Sequence, residues 1–272
     1  MKKTLSLAAL VTIISGCTPA TYQSQRTYHS SDFVPVTEPA STDQTYGKNL
    51  TQNQINLLKT NPLVNALGCD EFRNTSAIGF DENKKVTVKR DVFDGKRLLT
   101  DSKLICLVEK NYNEDIKSEF EIVVKESGVF RGTPVAFYHS DGSTTIGGEN
   151  GWSIGCKRDA MTDRLLCNMS RGDLFIVQDS KGYSVAVMGD IYPGSVSSVR
   201  INGGKPYNTS DNDAMFGAGV STKIVKAIHD GTNVITRYYD WPYNAPRDRE
   251  VDTKGYDTAL GFMNLVYRSY IH

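Results

Sequence analysis

Cys156 and Cys167 stand on two short β-rich segments joined by the polar, turn-prone residues 157–164. Two such segments with a stretch of this kind between them predict a β-hairpin. Because the turn centres midway between the two cysteines, the hairpin places their side chains opposite each other. A disulfide across so small a loop should stabilise the fold by about 2–3 kcal/mol.

The start of the chain is typical of a secretory signal. Lys2 and Lys3 give it a positive beginning, residues 5–14 are almost entirely apolar, and the small residues Ser15 and Gly16 follow. The apolar run is too short for a bilayer-spanning helix, which needs about 20 residues. We therefore expect residues 1–16 to be a signal peptide that is removed on export.

The residues Ile14-Ser15-Gly16-Cys17 resemble the lipobox of bacterial lipoproteins. That resemblance implies cleavage before Cys17, a diacylglycerol on its thiol and an acyl chain such as palmitate on the new amino group. Several acyl chains on one residue give stable membrane anchoring. Thr18 follows where that family uses Asp for inner-membrane retention, which favours the outer membrane. The alternative is a coincidental cysteine near an ordinary cleavage site.

The other four cysteines form an even set, which in an exported chain predicts disulfides. With Cys156 and Cys167 assigned to the hairpin, Cys69 and Cys106 pair by elimination and join a helix end to a strand. A zinc site is the alternative, but the chain has no CxxC pattern, and the nearest histidine is His139. We expect no metal and no cofactor other than the covalent lipid.

Residues 17–47 differ sharply in composition from the rest of the chain. They are rich in Ser and Thr, and Phe33, Val34 and Val36 are their only large aliphatic or Phe side chains. Such a segment cannot bury enough apolar surface to offset the entropy of ordering it. The composition predicts a lipidated N-terminus with a flexible tether.

The charge balance bears on the class of partner. Lys plus Arg is 31 and Asp plus Glu is 31, so the formal net charge is zero. A protein that coats nucleic acid needs a basic excess to neutralise phosphates, and no nucleic-acid partner is expected. The hydrophobic share of 39% is enough for a globular core.

Short alternating segments dominate the chain after the tether. Residues 50–60 predict a short helix, and strands are indicated at 86–88, 98–108 and 119–124. Later segments continue this pattern, and Ser221 is placed to cap a helix over residues 222–230. The pattern predicts a mainly β fold with a few helices (α+β), an antiparallel β-sandwich-like architecture with two disulfides.

Glycine and proline punctuation near residues 131–134 suggests a division of the folded part. The N-terminal part, residues 48–130, would be β-rich with a short helix. The C-terminal part, residues 131–272, would be β-sandwich-like, and each part would hold one disulfide. A single continuous sandwich is the alternative.

The most unusual stretch contains four aromatic residues within six positions: Tyr238, Tyr239, Trp241 and Tyr243. A proline and several charged residues follow them. Tyr, Trp and Arg dominate the hot spots of protein interfaces, so the stretch could form a binding surface. In the other interpretation, alternate rings enter the core while a Pro-rich loop closes the sheet.

A catalytic set is not recognisable. Gly151 to Gly155 reads G-x-S-x-G around Ser153, but a nucleophile elbow needs a helix after its serine, and here a second β-rich segment follows. A hydrolase around Ser153 or His139 remains a third hypothesis.

From Trp152 to the end, residues 152–272 resemble the exported proteins related to invasion-associated locus B. The shared features are a strand from Trp152 to Cys156, a second cysteine soon after it, hairpins, and a turn at Pro193-Gly194. That family carries further cysteines late in the domain, whereas this chain has none after Cys167. The resemblance implies a β-sandwich in the envelope or outside the cell, and it carries over no catalytic residue.

These features lead to two functional expectations from different classes. The first is a non-enzymatic lipoprotein that faces the periplasm from the outer membrane and serves as an interaction or accessory component of an envelope assembly. The second is an envelope module that binds glycans or small ligands on an aromatic platform of Tyr238, Tyr239, Trp241 and Tyr243.

Overall fold

The computed structural model describes residues 50–75, 80, 85–89, 93, 95–110, 119–148, 150–210 and 215–271. Every described residue belongs to one compact unit. The expected signal peptide, Cys17 and the tether lie outside the described residues.

Strands predominate among the described residues, with two helices before the first strand and two more after the twelfth. The helices are α1 (Gln52–Thr60), α2 (Pro62–Leu67), α3 (Ala218–Ala227) and α4 (Tyr256–Tyr270). The strands are β1 (Glu71–Asn74), β2 (Val86–Val88), β3 (Thr100–Lys110), β4 (Phe120–Phe130), β5 (Thr133–Tyr138), β6 (Thr144–Ile146), β7 (Trp152–Arg158), β8 (Leu165–Arg171), β9 (Leu174–Asp179), β10 (Gly182–Val187), β11 (Ser198–Ile201), β12 (Tyr207–Asn208), β13 (Val234–Asp240) and β14 (Ala245–Val251). The predicted mainly β class is confirmed.

The first sheet has the order β1-β3-β4-β2, and β5 pairs with β4. The β1–β3 and β2–β4 pairs are parallel, and the long β3–β4 pair is antiparallel. Helices α1 and α2 cover the inner face, where Leu58 and Val64 enter a core with Phe120 and Ile122. The disulfide Cys69–Cys106 joins the segment after α2 to β3 and lies in this core, as the sequence predicts.

Local signals account for the helix pair at the start of this sheet. Thr51 and Gln54 form a reciprocal capping box at the start of α1. Asn61 then caps α2 by accepting hydrogen bonds from the N–H groups of Leu63 and Val64, and Pro62 occupies the first helical position. The predicted helix over residues 50–60 is confirmed.

The division suggested at residues 130 and 131 falls in the tight turn between β4 and β5. Arg131 and Gly132 form this turn, both with positive φ, and Phe130 pairs directly with Thr133. The first sheet therefore continues across this point.

The second sheet is an antiparallel meander in the order β10-β9-β8-β7-β6. Cys156 in β7 lies directly opposite Cys167 in β8, and their Cα atoms are 4.0 Å apart. The predicted hairpin disulfide is confirmed. Helix α4 packs against β7 and β8, while α3 packs against β10.

The third sheet is antiparallel, with the order β12-β11-β13-β14. Its inner face adds Val199, Val234 and Val251 to the core that the second sheet shares with α3 and α4. The expectation of a Pro-rich loop after Trp241 is wrong, because residues 245–251 form the edge strand β14. The strand carries mostly exposed charged side chains, which is how many proteins protect a sheet edge.

The expectation that Ser221 caps a helix is also wrong. Helix α3 begins one turn earlier, at Ala218, and Ser221 is fully buried within it. Its hydroxyl donates to the carbonyl of Phe216 and accepts from the N–H of Val185 in β10. The serine therefore ties the helix to the second sheet.

Candidate functional site

The aromatic stretch divides between the core and the surface, because side chains on a strand alternate in direction. Tyr238, in β13, is only 6% exposed and packs in the shared core. A Cβ atom on Gly189 would lie 2.6 Å from the ring of Tyr238, so the ring occupies the space beside this glycine. Tyr239 projects to the opposite face of the third sheet and is half-buried.

The other two aromatic residues lie in the turn between β13 and β14, here called the aromatic turn (residues 241–244). Trp241 is 55% exposed and Tyr243 is 82% exposed. A cis peptide bond joins Trp241 to Pro242, and Asn244 has a φ of 51° and donates its N–H to the carbonyl of Asp240 at 2.8 Å. Two large rings therefore face solvent at a tightly folded tip.

The segment that follows β10 fixes the base of the aromatic turn. The N–H of Trp241 donates to the carbonyl of Asp190, and the N–H of Tyr192 donates to the carbonyl of Tyr239, both at 2.7 Å. The rings of Tyr192 and Trp241 are 5.5 Å apart between centroids and 34° apart in plane. The indole is thus supported on one side and exposed on the other.

An ion pair strengthens the same hairpin. The guanidinium of Arg247, in β14, donates twice to Oδ2 of Asp240, at 3.0 and 2.8 Å. These two residues flank the turn, so the pair clamps its two ends. The aromatic turn is therefore a preorganised surface that exposes one Trp and one Tyr ring, a composition common at interface hot spots.

Sequence reasoning missed Asp190 and Tyr192, which support Trp241. Their contacts with β13 join segments far apart along the chain, so no local periodicity indicates them. The only local signal is the turn dipeptide Pro193-Gly194 that follows Tyr192.

The residues of the hydrolase hypothesis are not brought together. Ser153 lies within β7, opposite Ser170 in β8, where no sharp strand-to-helix turn surrounds it. His139 is fully buried, and its Nε2 atom lies 2.9 Å from Oε2 of Glu126. Because both side chains are buried and hydrogen-bonded to each other, we interpret this contact as structural.

The described part of the chain holds neither a membrane-spanning helix nor a metal-binding cluster. None of its helices has the length and apolar character needed to cross a membrane. The same residues contain no group of three or more His, Cys, Asp or Glu side chains placed to hold a metal ion.

Comparison of the chain with protein-family models, with curated proteins and with solved structures found no match. The likeness of residues 152–272 to proteins related to invasion-associated locus B stays a prediction.

Proposed function

We propose that the protein is a lipid-anchored component of a bacterial outer membrane that faces the periplasm and binds an envelope protein through the aromatic turn. The observation that carries this proposal is the exposure of Trp241 and Tyr243 on a hairpin whose base is fixed by hydrogen bonds to Asp190 and Tyr192. Rigid aromatic side chains lose little conformational entropy on binding, and they bury a large area.

The anchoring part of the proposal is supported by the start of the sequence. The apolar run of residues 5–14 and the lipobox-like residues 14–17 agree with export and lipidation at Cys17. The two disulfides agree with an oxidising compartment. An exported, tethered unit with an exposed aromatic surface is suited to contacting other envelope proteins.

The partner-binding part is tested with the double variant Trp241→Ala/Tyr243→Ala in the full chain. The bait is solubilised from membranes after cross-linking, and the co-purifying proteins are quantified against the wild type. Met161→Ala is the matched control, because Met161 is 91% exposed but lies in the β7–β8 turn. We expect a stoichiometric partner to be lost with the double variant and kept with the control. A partner that the double variant retains would contradict the proposal.

The anchor is tested separately with Cys17→Ser. The variant should move from the membrane fraction to the soluble fraction, and metabolic labelling with a fatty acid should disappear. A variant that stays in the membrane and keeps its label would show that Cys17 is not the lipidated residue.

The second candidate function is binding of a saccharide or small ligand by ring stacking at the aromatic turn. Trp241 and Tyr243 are exposed enough to stack against a ligand, whereas the buried Tyr238 is not. Because Trp152 is fully buried, a ligand on the turn should change the fluorescence of the exposed Trp241. Titration with candidate saccharides, repeated on Trp241→Phe, tests this function.

A further inference from the structure

A groove lies on the outer face of the third sheet, on the side away from the shared core. Its volume is about 280 Å³, and it is lined by Ser198, Arg200, Pro206, Asn208, Ile235, Arg237 and Asp248. None of these residues belongs to the aromatic turn. The volume is close to the lower limit of ordinary ligand pockets, about 300 Å³, so the groove suits a ligand the size of one ring.

Arg237 and Asp248 form a fixed planar pair on one side of the groove. They are directly opposite in β13 and β14, and Nε and Nη2 of the guanidinium donate to the two carboxylate oxygens at 2.5 and 2.6 Å. The hydrogen bonds from Arg237 lower the pKa of the Asp248 carboxyl, so it stays ionised at neutral pH. Such a bidentate ion pair leaves the other guanidinium N–H groups and carboxylate lone pairs available to a ligand.

Arg200 supplies a second guanidinium, and its position is fixed in a different way. Its Nε donates to the carbonyl of Gly204 at 3.0 Å, and its Nη2 donates to the carbonyl of Gly203 at 2.8 Å. Both acceptors are neutral backbone groups in the β11–β12 turn. Its charge is therefore held in place without a carboxylate partner among the described residues.

Asn208 provides an oriented amide at the groove. The hydroxyl of Ser198 donates to Oδ1 of Asn208 at 2.8 Å. That contact leaves Nδ2 as the end with unused donors, since no hydrogen bond joins it to another described residue. Donors fixed in this way are the polar groups that give a small-molecule site its orientation and specificity.

The charges of this face favour an anion, but not a multiply charged one. Two guanidinium groups, from Arg200 and Arg237, meet the single carboxylate of Asp248 within the groove. Close by, Glu250 pairs opposite Ile235 and accepts from Asn233. Among the residues that line the groove, one positive charge is left uncompensated, and a ligand with one carboxylate complements it. Asp248 and the nearby Glu250 would repel a phosphate cluster.

Apolar groups complete the chemistry of the groove. Ile235 and the ring of Pro206 are its apolar lining, and the polar groups surround them. A sugar ring offers the matching combination of a C–H face for apolar contact and hydroxyls at its edge for amide, guanidinium and carboxylate groups. We propose that this groove binds a saccharide that carries a carboxylate, with the carboxylate at Arg200 and the hydroxyls at Asn208, Arg237 and Asp248.

The test uses the full mature chain in detergent and two matched probes, galacturonic acid and its methyl ester. They share the ring system and differ in charge, and binding is measured by titration calorimetry. The acid should bind at least about tenfold more tightly than the ester, because only the acid can accept charge-assisted hydrogen bonds from Arg200. Equal binding of the two probes, or no binding of the acid, overturns the proposal.

Variants locate the site. Arg200→Gln should weaken binding of the acid by at least about tenfold, and Asn208→Ala should weaken binding of both probes. Asn208→Ala leaves the β11–β12 turn contacts of Arg200 in place, so it remains informative if Arg200→Gln disturbs that turn. The control is Arg164→Gln, which removes an exposed arginine in the β7–β8 turn and should leave binding unchanged. Unchanged binding in both groove variants overturns the proposal.

Two further measurements test the class of ligand and the location of its site. Cyclohexanecarboxylate carries one carboxylate on a ring without hydroxyls, and binding as tight as that of the acid would overturn the saccharide assignment. Trp241→Ala/Tyr243→Ala should bind the acid like the wild type, because the aromatic turn lies outside the groove. Loss of saccharide binding in that double variant would place the site at the turn and overturn the groove.

Discussion

The Nε2 atom of His139 and the Oε2 atom of Glu126 lie 2.9 Å apart, and both side chains are completely shielded from solvent. Glu126 lies in β4, and His139 follows β5 directly. The same carboxylate accepts hydrogen bonds of 2.8–3.0 Å from the N–H groups of Leu98 and Leu99. One buried carboxylate therefore holds the segment before β3 against the first sheet.

Acid should weaken this arrangement by protonating Glu126. Burial raises the pKa of Glu126, but hydrogen bonds from His139 and from the backbone of Leu98 and Leu99 outweigh it, so the pKa falls below its ordinary value of 4.5. A carboxyl with a lowered folded-state pKa stabilises the fold above its unfolded-state pKa and loses that contribution as pH falls through the folded-state value. The free energy of unfolding should therefore decrease below about pH 4.5.

Glu126→Gln isolates this contribution. At pH 7 the variant should be less stable in urea unfolding by about 1–3 kcal/mol, because a buried charge-assisted network is lost. The difference from the wild type should shrink at pH 3, because that pH lies below the ordinary carboxyl pKa of 4.5 and the contribution of the lowered pKa is then being lost. Glu250→Gln, an exposed control, should change stability by less than about 0.5 kcal/mol. A difference for Glu126→Gln that is the same at both pH values would contradict the prediction.

The two disulfides should contribute unequally to stability. Cys156–Cys167 closes a sequence separation of 11, and Cys69–Cys106 closes one of 37. The entropy that a cross-link removes from the unfolded chain grows with loop length, which gives about 3 kcal/mol for the short loop and about 4 kcal/mol for the long one. Paired Cys→Ala variants compared by urea unfolding measure both values. A larger loss for Cys156–Cys167 would show that native-state effects dominate.

The cysteine hairpin was predictable because its determinants are local. The alternating segments around Cys156 and Cys167 and the polar turn between them carry the whole pattern, and the register pairs these cysteines directly. By contrast, β14 was missed because its side chains from Pro246 to Glu250 are all exposed. An edge strand with one unpaired side can be highly polar, so it lacks the apolar alternation that indicates a strand.

The start of α3 and the contacts that support the aromatic turn also cannot be predicted from the local sequence. Ser221 has the residue type of a helix cap, but its hydroxyl accepts a hydrogen bond from the N–H of Val185, in β10. This contact joins a distant strand to the helix. The support of Trp241 by Asp190 and Tyr192 has the same non-local origin. Composition indicates an aromatic surface, but the alternation of side chains along β13 decides which rings are exposed.

Gly189→Ala should destabilise the protein although residue 189 is exposed. The added Cβ would lie 2.6–2.9 Å from ring atoms of Tyr238, which is closer than van der Waals contact. Overpacking of this kind typically costs about 1–3 kcal/mol in unfolding free energy. Urea unfolding of the variant measures the loss.

A matched control and a rescue make this result specific. Gly219→Ala, in α3, meets no atom within 4 Å and should stabilise the helix by up to about 1 kcal/mol. In the background Tyr238→Leu, the smaller side chain should reduce the cost of Gly189→Ala. If the effects of the two substitutions on the free energy of unfolding were simply additive, the ring of Tyr238 would not be the obstacle.

Neighbouring aromatic residues of the same hairpin should differ strongly in their effect on stability. Tyr238→Ala removes a buried ring from the shared core and should cost about 3–5 kcal/mol. Trp241→Ala removes a half-exposed ring whose described aromatic partner is Tyr192, so the cost should be about 0.5–1.5 kcal/mol. Urea unfolding of the two variants under one set of conditions gives the comparison. A loss for Trp241→Ala as large as that for Tyr238→Ala would mean that the aromatic turn is a structural element of the fold, and it would remove the physical basis for assigning the turn to partner binding.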